Sequence, residues 1–197
     1  MPAKKEPSEE NKRIARRVAD AFGGKAEVVE YLHDTLPLVT HLLYSKDRPH
    51  KGVTSYSTLG LSDYPMLDDD KSEYPTRLEI VGVSSNKVRH YPNIIAGAAF
   101  CIMRTKRLCY PGAVMRDYVK EYYPKTKLPH LYFTSPFLRE DSLKTVRLKT
   151  KEVSWLLVLP IAESECRYLL RESDEALEDR FEEEEIDIYD LSRKPVV

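Results

Sequence analysis

The chain has 197 residues, 42% apolar and 32% charged, with a net charge of −1. That is enough for one domain with a sizeable core, too short for two comfortable ones and too apolar for a disordered protein. The longest apolar run, Ile94 to Met103, is far below the ~20 residues a membrane span needs, and MPAKKEPSEENKR has no apolar signal core, so a cytoplasmic protein without a membrane partner is expected.

Residues 1–7 read as a loose tail and 8–197 as the domain. Ser8 is placed to cap a helix opening on Glu9 and Glu10, with Ile14, Val18, Ala21 and Phe22 on one face and Gly23-Gly24 as the stop. AEVVEYL, LPLVTHLLYS and VTSYSTL follow as strands separated by short polar or proline-containing segments. Gly60-Leu61-Ser62-Asp63 turns the chain, and LDDDKSE is a charged loop. TRLEIVGVS is apolar on both faces apart from Glu79, the pattern of a central strand. Asn93 to Arg107 predicts a buried helix with Pro92 at its start and Arg104, Lys106 and Arg107 at its end. YPGAVMRDYVKEYY fits either a helix or the opening of a strand. LPHLYFTSPF and KEVSWLLVLPI predict strands, Glu163 to Arg171 and Ser173 to Glu185 two helices, and IDIYDL a short closing strand. This order implies an α+β fold with a mixed central β-sheet covered by helices.

Charge is unevenly spread. Between Glu163 and Asp190 thirteen acids face Arg167, Arg171 and Arg180, a net −10 that leaves the rest of the chain basic. Glu182, Glu183, Glu184 and Glu185 are the densest part. Two readings stand side by side: a solvated helix face, or a surface that attracts a basic protein and repels nucleic acid. The basic residues, Arg13, Arg16, Arg17 and Lys144 to Lys151, lie among acids without an aromatic platform, so no nucleic-acid partner is expected. Tyr110, Tyr118, Tyr122 and Tyr123 cluster in a segment with little else to bury them, a composition suited to a protein interface.

Chemistry-bearing patterns are sparse. Cys101, Cys109 and Cys166 match no zinc or redox spacing and read as small buried hydrophobes. His33, His41, His50, His90 and His130 form no ligand pair, and neither a G-x-S-x-G elbow nor a glycine-rich phosphate loop occurs. No metal, cofactor or catalytic residue is expected, and the protein reads as a non-enzyme. The competing reading makes Glu79 and Asp63 an acid–base pair of a hydrolase-like enzyme. A carboxylate inside an apolar strand is desolvated, although pairing with an arginine or backbone amides is the commoner outcome.

The strand ending in Gly60-Leu61-Ser62-Asp63, the strand carrying Glu79, Pro160-Ile161 followed by Glu165, and the closing pair Asp190 and Arg193 resemble the Suppressor-of-fused domain family in order, over residues 20–196. The resemblance implies a single-domain, non-enzymatic protein-binding module of the bacterial kind. Such modules are often proposed to be immunity proteins that neutralise polymorphic toxins, many of them nucleases, by covering them. On this reading Asp63 holds its turn through backbone amides, and Glu79, Asp190 and Arg193 are structural. Tyr64 belongs to a binding rim with Tyr110, Tyr118, Tyr122, Tyr123 and Glu182–Glu185, and the partner is another protein, a basic toxin domain being the candidate. One departure stands out: Ala113 follows Gly112 where the family often has a polar residue.

Overall fold

The computed structural model describes residues 6–197, so most of the expected tail lies outside the described residues. Helix α1, Glu9–Phe22, begins where Ser8 accepts the Asn11 amide at 3.1 Å and ends at Gly23. Its stripe of Ile14, Val18 and Phe22 is buried, each side chain stabilising by about 1.5–3 kcal/mol. Strands β1, Ala26–Leu32, β2, Val39–Lys46, and β3, Val53–Leu59, form an antiparallel meander that runs into β4, Thr76–Ser85. Helix α2, Tyr91–Thr105, then crosses the sheet. Short β5, Val114–Met115, precedes β6, His130–Thr134, and two-residue β7, Val146–Arg147, precedes the long β8, Glu152–Ile161. Helices α3, Glu163–Arg171, and α4, Asp174–Glu183, complete the set.

The sheet runs β1-β2-β3-β4-β8-β6-β5, with β4 and β8 its parallel pair and β7 pairing β8 alongside β6. β4 and β8 are central and buried on both faces. Alternation along β8 divides the core: Val153, Trp155, Leu157, Leu159 and Ile161 meet α1, α3 and α4, whereas Leu156 and Val158 meet α2. The result is a single-domain, three-layer α+β molecule.

Some boundaries differ from the sequence reading. α2 starts two residues early because Pro92 sits inside its first turn, and it stops at Lys106, which is left-handed at φ 54°. The ambiguous segment divides between strand β5 and a 3-10 turn at Val119–Glu121. IDIYDL is not a strand. Asp187 and Asp190 draw the amides of Tyr189 and Ser192 at 2.9 and 2.8 Å into local turns, and of this segment the Tyr189 carbonyl bonds the end of β4, through Ser85 N–H at 2.9 Å. β7 carries no sequence signal beyond Val146.

Candidate functional site

Two buried carboxylates organise the polar framework. The β3–β4 ladder ends at Ser57↔Val81, and past it the Thr58 hydroxyl takes the Ile80 amide at 2.8 Å. Glu79, fully buried, closes the corner that follows. Its Oε2 accepts from Thr58 Oγ1 at 2.5 Å, and its Oε1 from the amides of Gly60 at 3.0 Å and Ser62 at 3.1 Å. Gly60 is left-handed at φ 98°, a conformation that favours glycine, and this aims both amides at one oxygen. Burial raises the Glu79 pKa, opposed by these hydrogen bonds. Asp63 does something else than expected. Its carboxylate takes Lys151 Nζ and, at 2.8 Å, Asn11 Nδ2, tying the corner to α1 and to the loop before β8. The backbone amides go to Glu79 because Asp63, at the end of the 3-10 turn Leu61–Asp63, faces outward. With both Glu79 oxygens committed and Asp63 paired to a lysine, the two do not form an acid–base couple.

The second carboxylate is Glu165 at the start of α3. It is fully buried and accepts the Ala162 amide at 2.7 Å, which satisfies one free N–H of that helix. Arg193 reaches it from the C-terminal segment in a fork, Nη1 to Oε1 at 2.6 Å and Nη2 to Oε2 at 3.0 Å. Val196 N–H adds a third anchor at 3.1 Å, and the guanidinium lies 5.2 Å from the Phe181 ring. Asp190 holds only its own turn, and the Ser192 hydroxyl and amide lower its pKa. Together these bonds fasten residues 190–196 to α3 and α4.

The tyrosines sort into two kinds. Tyr110 is 57% exposed, beside Pro111 and Gly112. Tyr64, Tyr118, Tyr122 and Tyr123 are half-buried against the core under α2. Tyr118 and Tyr122 lie 6.1 Å apart, and a Cβ at Gly97 would come within 2.5 and 2.3 Å of their hydroxyls, so glycine lets these phenols approach the helix. Desolvation raises both phenol pKa values. Tyr123 Oη accepts the His90 amide at 2.8 Å. Periodicity missed this burial because α2 lies far away in sequence. Ala113 is buried in the same cluster.

Glu182, Glu183, Glu184 and Glu185 are all exposed at the C-terminal end of α4. Of the four, Glu183 is ion-paired, to Arg180 at 2.9 Å. The helix dipole is negative there, so these charges oppose the element that carries them. On α1, Arg13, Arg16 and Arg17 line a surface cleft of about 420 Å³ with Asp20 and Ser142. Cys109 and Cys166 are buried, Cys101 is partly so, and burial pushes the Cys109 thiol up to about 12. Buried His130 accepts the Asp117 amide at Nδ1, 2.9 Å, which places its proton on Nε2 facing Glu163 at 2.7 Å. Among the described residues, no three His, Cys, Asp or Glu side chains gather as a metal site, and no helix is long and apolar enough to cross a membrane.

The sheet, the Glu79 corner and the Glu165–Arg193 pair define a single-domain α+β scaffold whose two buried carboxylates fasten backbone. The chain belongs to the Suppressor of fused protein (SUFU) family, whose sequence model matches residues 34–194. It is 37% identical over 190 residues to "Immunity protein YqcF" of Bacillus subtilis (strain 168), covering 96% of this chain and 98% of that one. A SUFU homologue from Neisseria gonorrhoeae FA 1090 superposes with a TM-score of 0.68 at 16% identity, over 95% of this chain and 96% of that one. A chain of the Sufu–Fu complex superposes with a TM-score of 0.64 at 12% identity, over 97% and 93%. Drosophila Suppressor of Fused does so with a TM-score of 0.56 at 12% identity, over 93% of this chain and 50% of that one.

Proposed function

We propose that this protein is a non-enzymatic, cytoplasmic immunity protein, with residues 8–197 as the binding unit, that neutralises a basic toxin domain by covering it. The family membership and the likeness to a named immunity protein support the class. The observation that carries the electrostatic part is the placement of Glu182–Glu185 against the α4 dipole. Those charges cost the helix stability, and a basic partner compensates for that cost. Encounter is steered by this face, and close contact is then made by aromatic groups, with exposed Tyr110 and the rim around Tyr64, Tyr118, Tyr122 and Tyr123 as candidates.

The test begins with capture of the partner from native cytoplasm and its identification by mass spectrometry. Association is then followed by stopped flow against salt, for the wild type and for Glu182, Glu183, Glu184 and Glu185 all changed to Lys. The expected result is a slower on-rate with a flatter salt dependence. An unchanged on-rate refutes the steering role, and a captured partner that this chain chemically alters refutes the non-enzymatic reading.

A further inference from the structure

Strand β1 ends the sheet, and among the described residues nothing pairs its outer edge. Which groups face outward follows from one bond. His33 N–H donates to the Leu38 carbonyl at 3.0 Å, so in the β1–β2 register the hydrogen-bonded pairs with β2 are 31↔40, 29↔42 and 27↔44. Ala26, Val28, Glu30 and Leu32 therefore turn their N–H and C=O groups away from the sheet. Side chains along this edge are unusually bare: Val28 is 52% exposed, Val29 42% and Leu32 65%. Edges of this sort are commonly guarded by charge. Here the two acids are drawn back towards β2, Glu27 accepting from Tyr44 Oη at 2.6 Å and Glu30 facing His41 at 3.5 Å.

We propose that this edge pairs with the same edge of a second copy, antiparallel, about a twofold axis through Val29. The parity above allows only even sums of paired residue numbers. Pairing about Val29 sets Ala26 against Leu32 and Val28 against Glu30, and Glu27 meets Tyr31, so no like charges oppose. Pairing about Glu30 would set Glu30 against itself. At both ends of the Val29-centred ladder, Lys25 of one copy, 3.6 Å from its own Glu27, lies opposite His33 of the other and one position from Asp34, and Lys25 and Asp34 are both exposed. A heterologous strand has no such built-in complementarity, and for that reason the second copy is the assigned occupant. A seven-residue ladder covers less than the ~1,200 Å² at which standard interfaces begin, so dissociation in the micromolar range is expected.

Sedimentation velocity of the full chain, from low-micromolar to sub-millimolar concentration, tests this directly. Val28→Pro removes an outward N–H and leaves the β1–β2 bonds intact, so it should weaken the dimer at least about tenfold. Lys25→Glu should weaken it as well, and Lys25→Glu with Asp34→Lys should restore it to within about twofold, because the end pairs are exchanged rather than lost. The charge pair keeps the test valid should the proline variant misfold. A wild type that stays monomeric overturns the proposal and leaves the edge to another protein's strand. A dimer indifferent to Val28→Pro and Lys25→Glu overturns it too, and one that the double variant fails to restore overturns the register.

Discussion

Glu79 offers the sharpest test of how the core is held. Glu79→Ala strands the amides of Gly60 and Ser62 and frees the Thr58 hydroxyl, which has the Ile80 carbonyl 3.5 Å away as an alternative acceptor. Two stranded backbone donors at about 1–3 kcal/mol each give an expected loss of about 2–6 kcal/mol. Glu79→Gln keeps an oxygen for both amides and directs its NH₂ at Thr58, so its loss should stay near 1 kcal/mol, the size of one altered hydrogen bond. The pH dependence has a definite sign. The folded-state pKa is raised above 4.5, so the folded protein binds this proton more tightly than the unfolded chain does. Glu79's contribution is then full below the unfolded value and is lost as pH rises through the folded one. The stability of the wild type relative to Glu79→Gln should therefore fall as pH increases above 4.5. Urea melts followed by the fluorescence of Trp155, the single tryptophan and 2% exposed, measure both effects. Equal losses for Ala and Gln, or a relative stability that rises with pH, would refute the reasoning.

Two further outcomes are expected from the same melts. Arg193→Met leaves the buried Glu165 carboxylate with only the Ala162 and Val196 amides, and should cost about 3–5 kcal/mol; adding Glu165→Gln should recover part of that loss. Gly97→Ala sets a methyl against the hydroxyls of Tyr118 and Tyr122 and should cost about 2 kcal/mol by overpacking, lowering the melting temperature by about 4–8 °C. Combining it with Tyr118→Phe and Tyr122→Phe should return most of the difference. A neutral Gly97→Ala would mean the rings move aside freely.

Much of the framework was legible from one-dimensional pattern. The stripe Ile14, Val18, Phe22 with Ser8 before it located α1. The apolar run around Glu79 placed β4 at the centre of the sheet, and Ser173 ahead of Asp174 located α4. Where local side-chain bonding competed with the ladder, as with Asp187 and Asp190, strand propensity was overruled. The candidate site was less legible. Its residue types were visible, but not which tyrosines face water: α2 and its Gly97 cover Tyr118 and Tyr122, and only contact across the fold brings them together.

Sequence alone determined the four helices, the longer strands, the α+β class, the negative α4 face and the family, because periodicity, capping and charge runs act between residues a few positions apart. Tertiary structure alone decided that Glu79 rather than Asp63 holds the corner, that Asp63 reaches Lys151, and that Arg193 closes on Glu165. It also decided that β1 stands open at the sheet edge. Each joins groups distant along the chain or depends on strand order, and a buried charge finds its partner through the geometry of the whole fold.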